Sequence, residues 1–135
     1  MTKINFKTEI SGTVDEAVER VTEALKKEGF GVLTRIDLHK KIKEKIGKDI
    51  APVVILGACN PNLAYEAYLE NPDVTSLLPC NAVVREISEG RISVELAKPS
   101  ALMEVLGDSN IKSSAVHADR LLEGALRSLN PGYQH

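Results

Sequence analysis

Apolar and polar residues alternate along residues 3–10, KINFKTEI: Ile4, Phe6 and Ile10 fall on one side and Lys3, Asn5, Lys7 and Glu9 on the other. A period of two predicts a strand with one wet face. Ser11-Gly12 breaks it, and Thr13 with Glu16 three residues later has capping-box spacing. Val14, Ala17, Val18, Val21 and Leu25 then recur at helical spacing, so residues 14–28 read as an amphipathic helix that Gly29 ends. Residues 30–37, FGVLTRID, predict a second strand. Leu38, Ile42 and Ile46 recur every fourth residue, a short helix with a narrow apolar stripe, stopped by Gly47.

The run PVVILGA, residues 52–58, is nearly continuous in apolar residues, which fits a strand central to a sheet. Asn60 is placed to cap a helix opened by Pro61, with Leu63, Ala64, Ala67 and Tyr68 on a shared face and Tyr68 packing. Asn71-Pro72-Asp73 closes that helix, and a short turn leads to a fourth strand, NAVVREI. Ser88-Glu89-Gly90 signals a hairpin into RISVELA, so these two strands are expected to be antiparallel neighbours. Pro99-Ser100 opens a further helix with Leu102, Met103 and Leu106 apolar, and residues 107–110 form a loop. The last helix, 114–129, carries the stripe Ala118, Leu122, Ala125 and Leu129, and residues 131–135 form a frayed tail. The order β-α-β-α-β-α-β-β-α-α predicts an α+β fold. It is a single two-layer domain over residues 1–135, a mixed sheet of about five strands with helices mainly on one face.

The 135 residues suit one compact domain. Seventeen basic residues against nineteen acidic ones give a net charge of −2, which argues against a general affinity for nucleic acid or anionic lipid. Three Tyr, two Phe and no Trp leave little material for a base-stacking surface. The opening MTKINFKTEI lacks an apolar core of signal-peptide length, and the run around Val53–Leu56 is too short to cross a bilayer. The expected compartment is therefore the cytoplasm, where two cysteines are more often free thiols than a disulfide.

Those cysteines head two Cys-Asn pairs, Cys59-Asn60 in GACNP and Cys80-Asn81 in LPCNA. Cys59 lies before a capped helix, where open N–H groups and the helix dipole favour a thiolate. Cys80 opens the fourth strand. Antiparallel pairing of the third and fourth strands brings the two cysteines to one end of the sheet, while a parallel crossover separates them. The plain alternative is two small, inert, buried thiols. Asn60 is accounted for by its capping role; the amide of Asn81, at a strand start, is placed either to bond loop backbone or to read a ligand. Tyr65 stands as a residue that lines a pocket or a dimer seam. No metal site is expected, because neither His39 nor His117 stands in ligand spacing with a cysteine, and both histidines read as surface groups. The lysines at 40, 41, 43, 45 and 48, interrupted by Glu44, read as a solvated helix face. No acidic pair is tied to a nucleophile, so no reaction, and no cofactor, is indicated.

The stretch GACNPNLAYEAYLENPDVTSLLPCNAVVREI resembles the signature of a bacterial and archaeal family, domain of unknown function 302. The resemblance rests on Asn60-Pro61 at a helix start, the spacing of Ala64 and Ala67, and Leu77-Leu78-Pro79-Cys80-Asn81 leading into a Val-rich strand. It covers about residues 3–130. Where the family often has glycine before the leucines, this chain has Thr75-Ser76. The resemblance implies a small α+β domain and a homodimer, and it carries no established activity or catalytic residue. Taken with the residues, it leads to an expectation of small-molecule binding around Cys59, Asn60, Cys80, Asn81 and Tyr65. A thiol-redox or metal-binding protein and a structural protein-interaction module are the alternatives.

Overall fold

The computed structural model of the chain describes residues 4–107 and 112–134. Strand β1 spans Asn5–Ser11 and leads into helix α1, Val14–Lys27. The capping box forms as expected: the Glu16 N–H donates to Thr13 Oγ1 (3.2 Å) and the Thr13 N–H to Glu16 Oε1 (2.9 Å). α1 buries Val14, Ala17, Val18, Val21, Ala24 and Leu25, the stripe its periodicity marks. Strand β2, Gly31–Asp37, runs straight into α2, Leu38–Ile46, followed by β3, Val53–Cys59, and α3, Pro61–Glu70. β4, Cys80–Ser88, and β5, Arg91–Ala97, form the hairpin, and α4, Pro99–Met103, and α5, Lys112–Leu129, complete the chain.

The fold is α+β, with a five-stranded sheet in the order β1-β5-β4-β3-β2. All four pairings are antiparallel, so the sheet is uniform rather than mixed. The helical connections do not force parallel neighbours, because α1 links the two edge strands across the whole sheet while α2 and α3 each return the chain to an adjacent antiparallel position. α1 and α5 pack together over one face, where Leu25, Leu56, Ile92, Leu96 and Leu126 are fully buried. The opposite face carries a polar cluster: Glu95 accepts from Arg85 Nε (2.7 Å) and Ser93 Oγ (2.8 Å).

Several local expectations change. The apolar stripe of α2 is present, yet no residue of that helix is buried. Helix α3 buries only Ala67, and Tyr68 stands 49% exposed instead of packing. The turn after α3 is a 3-10 helix, Pro72–Leu77, capped by Asn71, whose Oδ1 accepts from the Asp73 N–H (3.0 Å). The tail is pinned as far as Tyr133: Asn130 Nδ2 donates to Thr8 Oγ1 (3.0 Å), and the Tyr133 N–H donates to Asn130 O (2.8 Å). His39, read as a surface group, instead ties two elements together, its Nδ1 accepting from the Val53 N–H (3.0 Å). The expected loop lies beyond Gly107 in residues outside those described.

Gly57 shows how tightly the cysteine end of the sheet is assembled. A Cβ there would lie 2.3 Å from Thr34 Oγ1 and 2.8 Å from Pro79 Cγ. The hydroxyl can rotate, but the proline ring cannot. We expect Gly57→Ala to lower stability by about 1–3 kcal/mol, the usual cost of forcing an extra carbon into a packed site. Urea unfolding checks this, and an unchanged midpoint would refute the packing argument.

Candidate functional site

Antiparallel pairing of β3 with β4 sets Ala58 opposite Cys80. Cys59, the next residue, pairs with Gly31 on the other side. Both cysteines therefore lie at one end of the sheet, as free thiols. Asn60 follows at once and caps α3, its Oδ1 accepting from the Leu63 N–H (3.2 Å). Its amide nitrogen approaches Gly29 at the end of α1; a Cβ on Gly29 would lie 3.1 Å from Nδ2, and φ there is +85°. Glycine thus meets both the turn and the close approach.

Cys59, Asn60 and Cys80 converge on one cavity of about 50 Å³. Its remaining walls come from Phe30 at the start of β2, from Leu63, Ala64 and Ala67 of α3, and from Ala115 and Ala118 of α5. Met103 of α4 and Ser114 of α5 also reach it. Small-molecule sites usually measure roughly 300–1,000 Å³, and a water's share of liquid is about 30 Å³. The cavity accordingly admits a small group rather than a whole drug-sized ligand. In α3, Ala67 alone is buried, with Leu63 partly buried against the core.

The electrostatics follow from burial. Desolvation pushes the Cys80 thiol up to about 11, with the nearby Cys59 and Asp119 charges adding to it. At neutral pH Cys80 is therefore an uncharged thiol, poorly suited to act as a nucleophile. Asp119 is itself buried and spoken for, accepting from the Ser100 N–H (3.1 Å) and Ser100 Oγ (2.5 Å) at the start of α4. Among the described residues no group of three or more His, Cys, Asp or Glu side chains could hold a metal ion. His117 is exposed and His39 is committed to Val53.

The structure does not bring every candidate together. Asn81 lies one residue past Cys80 on the other face of β4, exposed, in a separate cleft with Val83 and Glu95. Tyr65 is 65% exposed and does not line the cavity. The sequence pattern places Met103 and Ala118 on apolar helix faces and Phe30 in the second strand, but assigns none of Phe30, Met103, Ala115 and Ala118 to the site. The available signal was the run of small side chains, since Ala58, Ala64, Ala67, Ala115 and Ala118 fall on elements that face one another.

The comparisons with known proteins agree with this architecture. The crystal structure of an uncharacterized conserved DUF302 protein from Bacillus stearothermophilus is similar at 33% sequence identity and a TM-score of 0.86. The match covers 93% of this chain and 97% of that one. No curated protein matches. The family model described as Domain of unknown function DUF302 matches residues 6–129, and the chain belongs to that family.

Proposed function

We propose that this chain is a cytoplasmic, homodimeric binding domain whose cavity beside Cys59, Asn60 and Cys80 takes the uncharged end of a small ligand. The observation that carries this reading is the convergence of β3, β4, α3, α4 and α5 on one apolar cavity with a protonated thiol in its wall. An uncharged group entering such a space gains apolar contact and leaves no charge unpaired. In this reading α3, in which only Ala67 is buried, is the wall that shifts to admit the rest of the ligand. Titrating the chain with indole and with short alcohols, followed by methyl NMR, tests the reading. We expect saturable shifts at Ala58, Ala115 and Ala118, lost in the cavity-filling variant Ala64→Leu. Binding that survives that variant, or no shift at those methyls with any probe, counts against it.

The protonated state of Cys80 disfavours the thiol-redox and metal-binding alternatives, and it gives a pH signature. Below about 9, the ordinary thiol value, both folded and unfolded chains keep the proton and stability does not depend on Cys80. As pH rises from there to about 11, the unfolded chain releases the proton while the folded one retains it, so stability falls. A shift of this size corresponds to roughly 2–3 kcal/mol. Denaturant midpoints across that range should fall more steeply for the wild type than for Cys80→Ser, and alkylation of Cys80 at pH 7 should be slow. Rapid alkylation at pH 7 would instead favour the redox reading.

The dimer is supported by the apolar surface at the β2 edge. Leu33 and Ile46 are each 67% exposed, Ile36 is 46% exposed, and α2 next to them buries nothing. An edge strand bearing such residues is a pairing or aggregation hazard unless something covers it. A second copy covers it in this reading. Sedimentation velocity should show a dimer that Ile36→Glu combined with Ile46→Lys converts to a folded monomer; a monomeric wild type would end the proposal.

A further inference from the structure

A second cleft, of about 600 Å³, opens at the opposite end of the sheet from the cysteines. Its volume lies within the ordinary range for small-molecule sites. Val14, Pro52 and Val54 supply apolar lining. Around them stand the first turn of α1, the β4–β5 hairpin, the end of β2 and the first turn of α2.

The charges in this cleft fall into two sets. Arg35 is held by two carboxylates, Nε to Asp37 Oδ1 (2.8 Å) and NH2 to Asp15 Oδ1 (3.1 Å). Lys40 Nζ meets the other oxygen of Asp37 at 3.4 Å. Both cations are thereby matched by aspartates within the wall. The aspartates hold the Arg35 guanidinium above its usual value, and Arg35 in turn holds Asp37 below its own. The second set is Glu86, half-buried on β4, and Glu89 at the hairpin tip, both lining the cleft. Among the described residues neither carboxylate has an ion pair or a side-chain hydrogen bond. The cleft therefore presents uncompensated negative charge beside an apolar floor. His39 also lines it, its Nδ1 held against the Val53 backbone, 3.0 Å from N and 3.1 Å from O.

We infer that this cleft is a binding site for a small organic ammonium ion, whose charged end meets Glu86 and Glu89 and whose carbon skeleton lies over Val14, Pro52 and Val54. The ion pair at half-buried Glu86 fixes the charged end. The matched Arg35 set repels neither end, so it frames the site without contributing net charge. An anion finds no free cation there, because Arg35 and Lys40 are both engaged.

The full chain titrated with n-butylammonium chloride at low salt, followed by backbone amide NMR, tests this. n-Butanol and sodium butyrate serve as the uncharged and anionic counterparts of the same skeleton. We expect saturable shifts at Thr13, Val14, Val54 and Gly90 with butylammonium alone. Glu86→Gln, which keeps shape and removes charge, should weaken binding about tenfold, the usual range for a hydrogen bond to a charged group. Glu19→Gln, on the exposed side of α1, should leave it unchanged. Absence of saturable shifts, equal shifts with butanol or butyrate, or an unaltered affinity in Glu86→Gln would overturn the assignment.

Discussion

Ala58 stands opposite Cys80 because β4 lies antiparallel beside β3, and that pairing organises both the sheet and the candidate site. It sends Val54, Leu56 and Ala58 of one strand and Cys80, Ala82 and Val84 of the other to the same face. That face is the one α1 and α5 cover, so the pairing supplies the middle of the core. A slip of one residue would turn every one of these side chains to the other face. The register is further confined at Gly57, where Thr34 and Pro79 close over a backbone with no side chain. The location of the thiols is thus a consequence of core packing, not a separate design.

How far this was legible depends on how local each signal is. The Thr13–Glu16 box and the Asn60 cap involve residues three apart, and both formed as read. The α+β class and the element order followed from periodicity alone. Strand direction between β3 and β4 did not, since a ten-residue helix permits either sense. The sequence could state the consequence of each sense but not choose between them. Asn81 illustrates a different limit. Its neighbour in the chain reaches the cavity, and strand alternation alone puts Asn81 on the opposite face. Grouping by adjacency in sequence therefore overstated the cluster by one residue. Tyr65 and Tyr68 were read from helical spacing, which identifies a shared face but not whether a partner covers it.

The cavity has a simple material origin. Alanines on β3, α3 and α5 meet where larger residues would interdigitate. Packing defects of this kind normally weaken a fold, by an amount that grows with the empty volume. At about 50 Å³ the defect is small, and the core around Leu25, Leu56 and Leu126 is fully buried. The fold can carry such a space where its outer wall contributes little to stability anyway. Helix α3, with one buried residue, is that wall. The cavity reflects small side chains, Ala64 and Ala67, on the inward face of that helix, while Tyr65, Tyr68 and Leu69 are exposed.

The two ends of the sheet differ in chemistry for a reason rooted in the connections. At the cysteine end, β3 passes through Asn60 into α3, and the chain re-enters through Pro79 into β4. Proline has no N–H, and the Asn60 amide oxygen accepts from the Leu63 N–H at the helix start. Burial there raises the Cys80 thiol instead of being offset by a partner. At the other end, the β4–β5 hairpin and the β2–α2 junction bring side chains rich in charge to a single rim. A salt link between Arg35 and Asp15 crosses from β2 to α1 there. Exposed pairs of this kind add little stability, so their effect lies in where they fix charge. They occupy the available cations and leave the hairpin carboxylates unmatched. One end is thereby lined mainly by apolar side chains, the other by charged ones, and both follow from which residues the turns demanded.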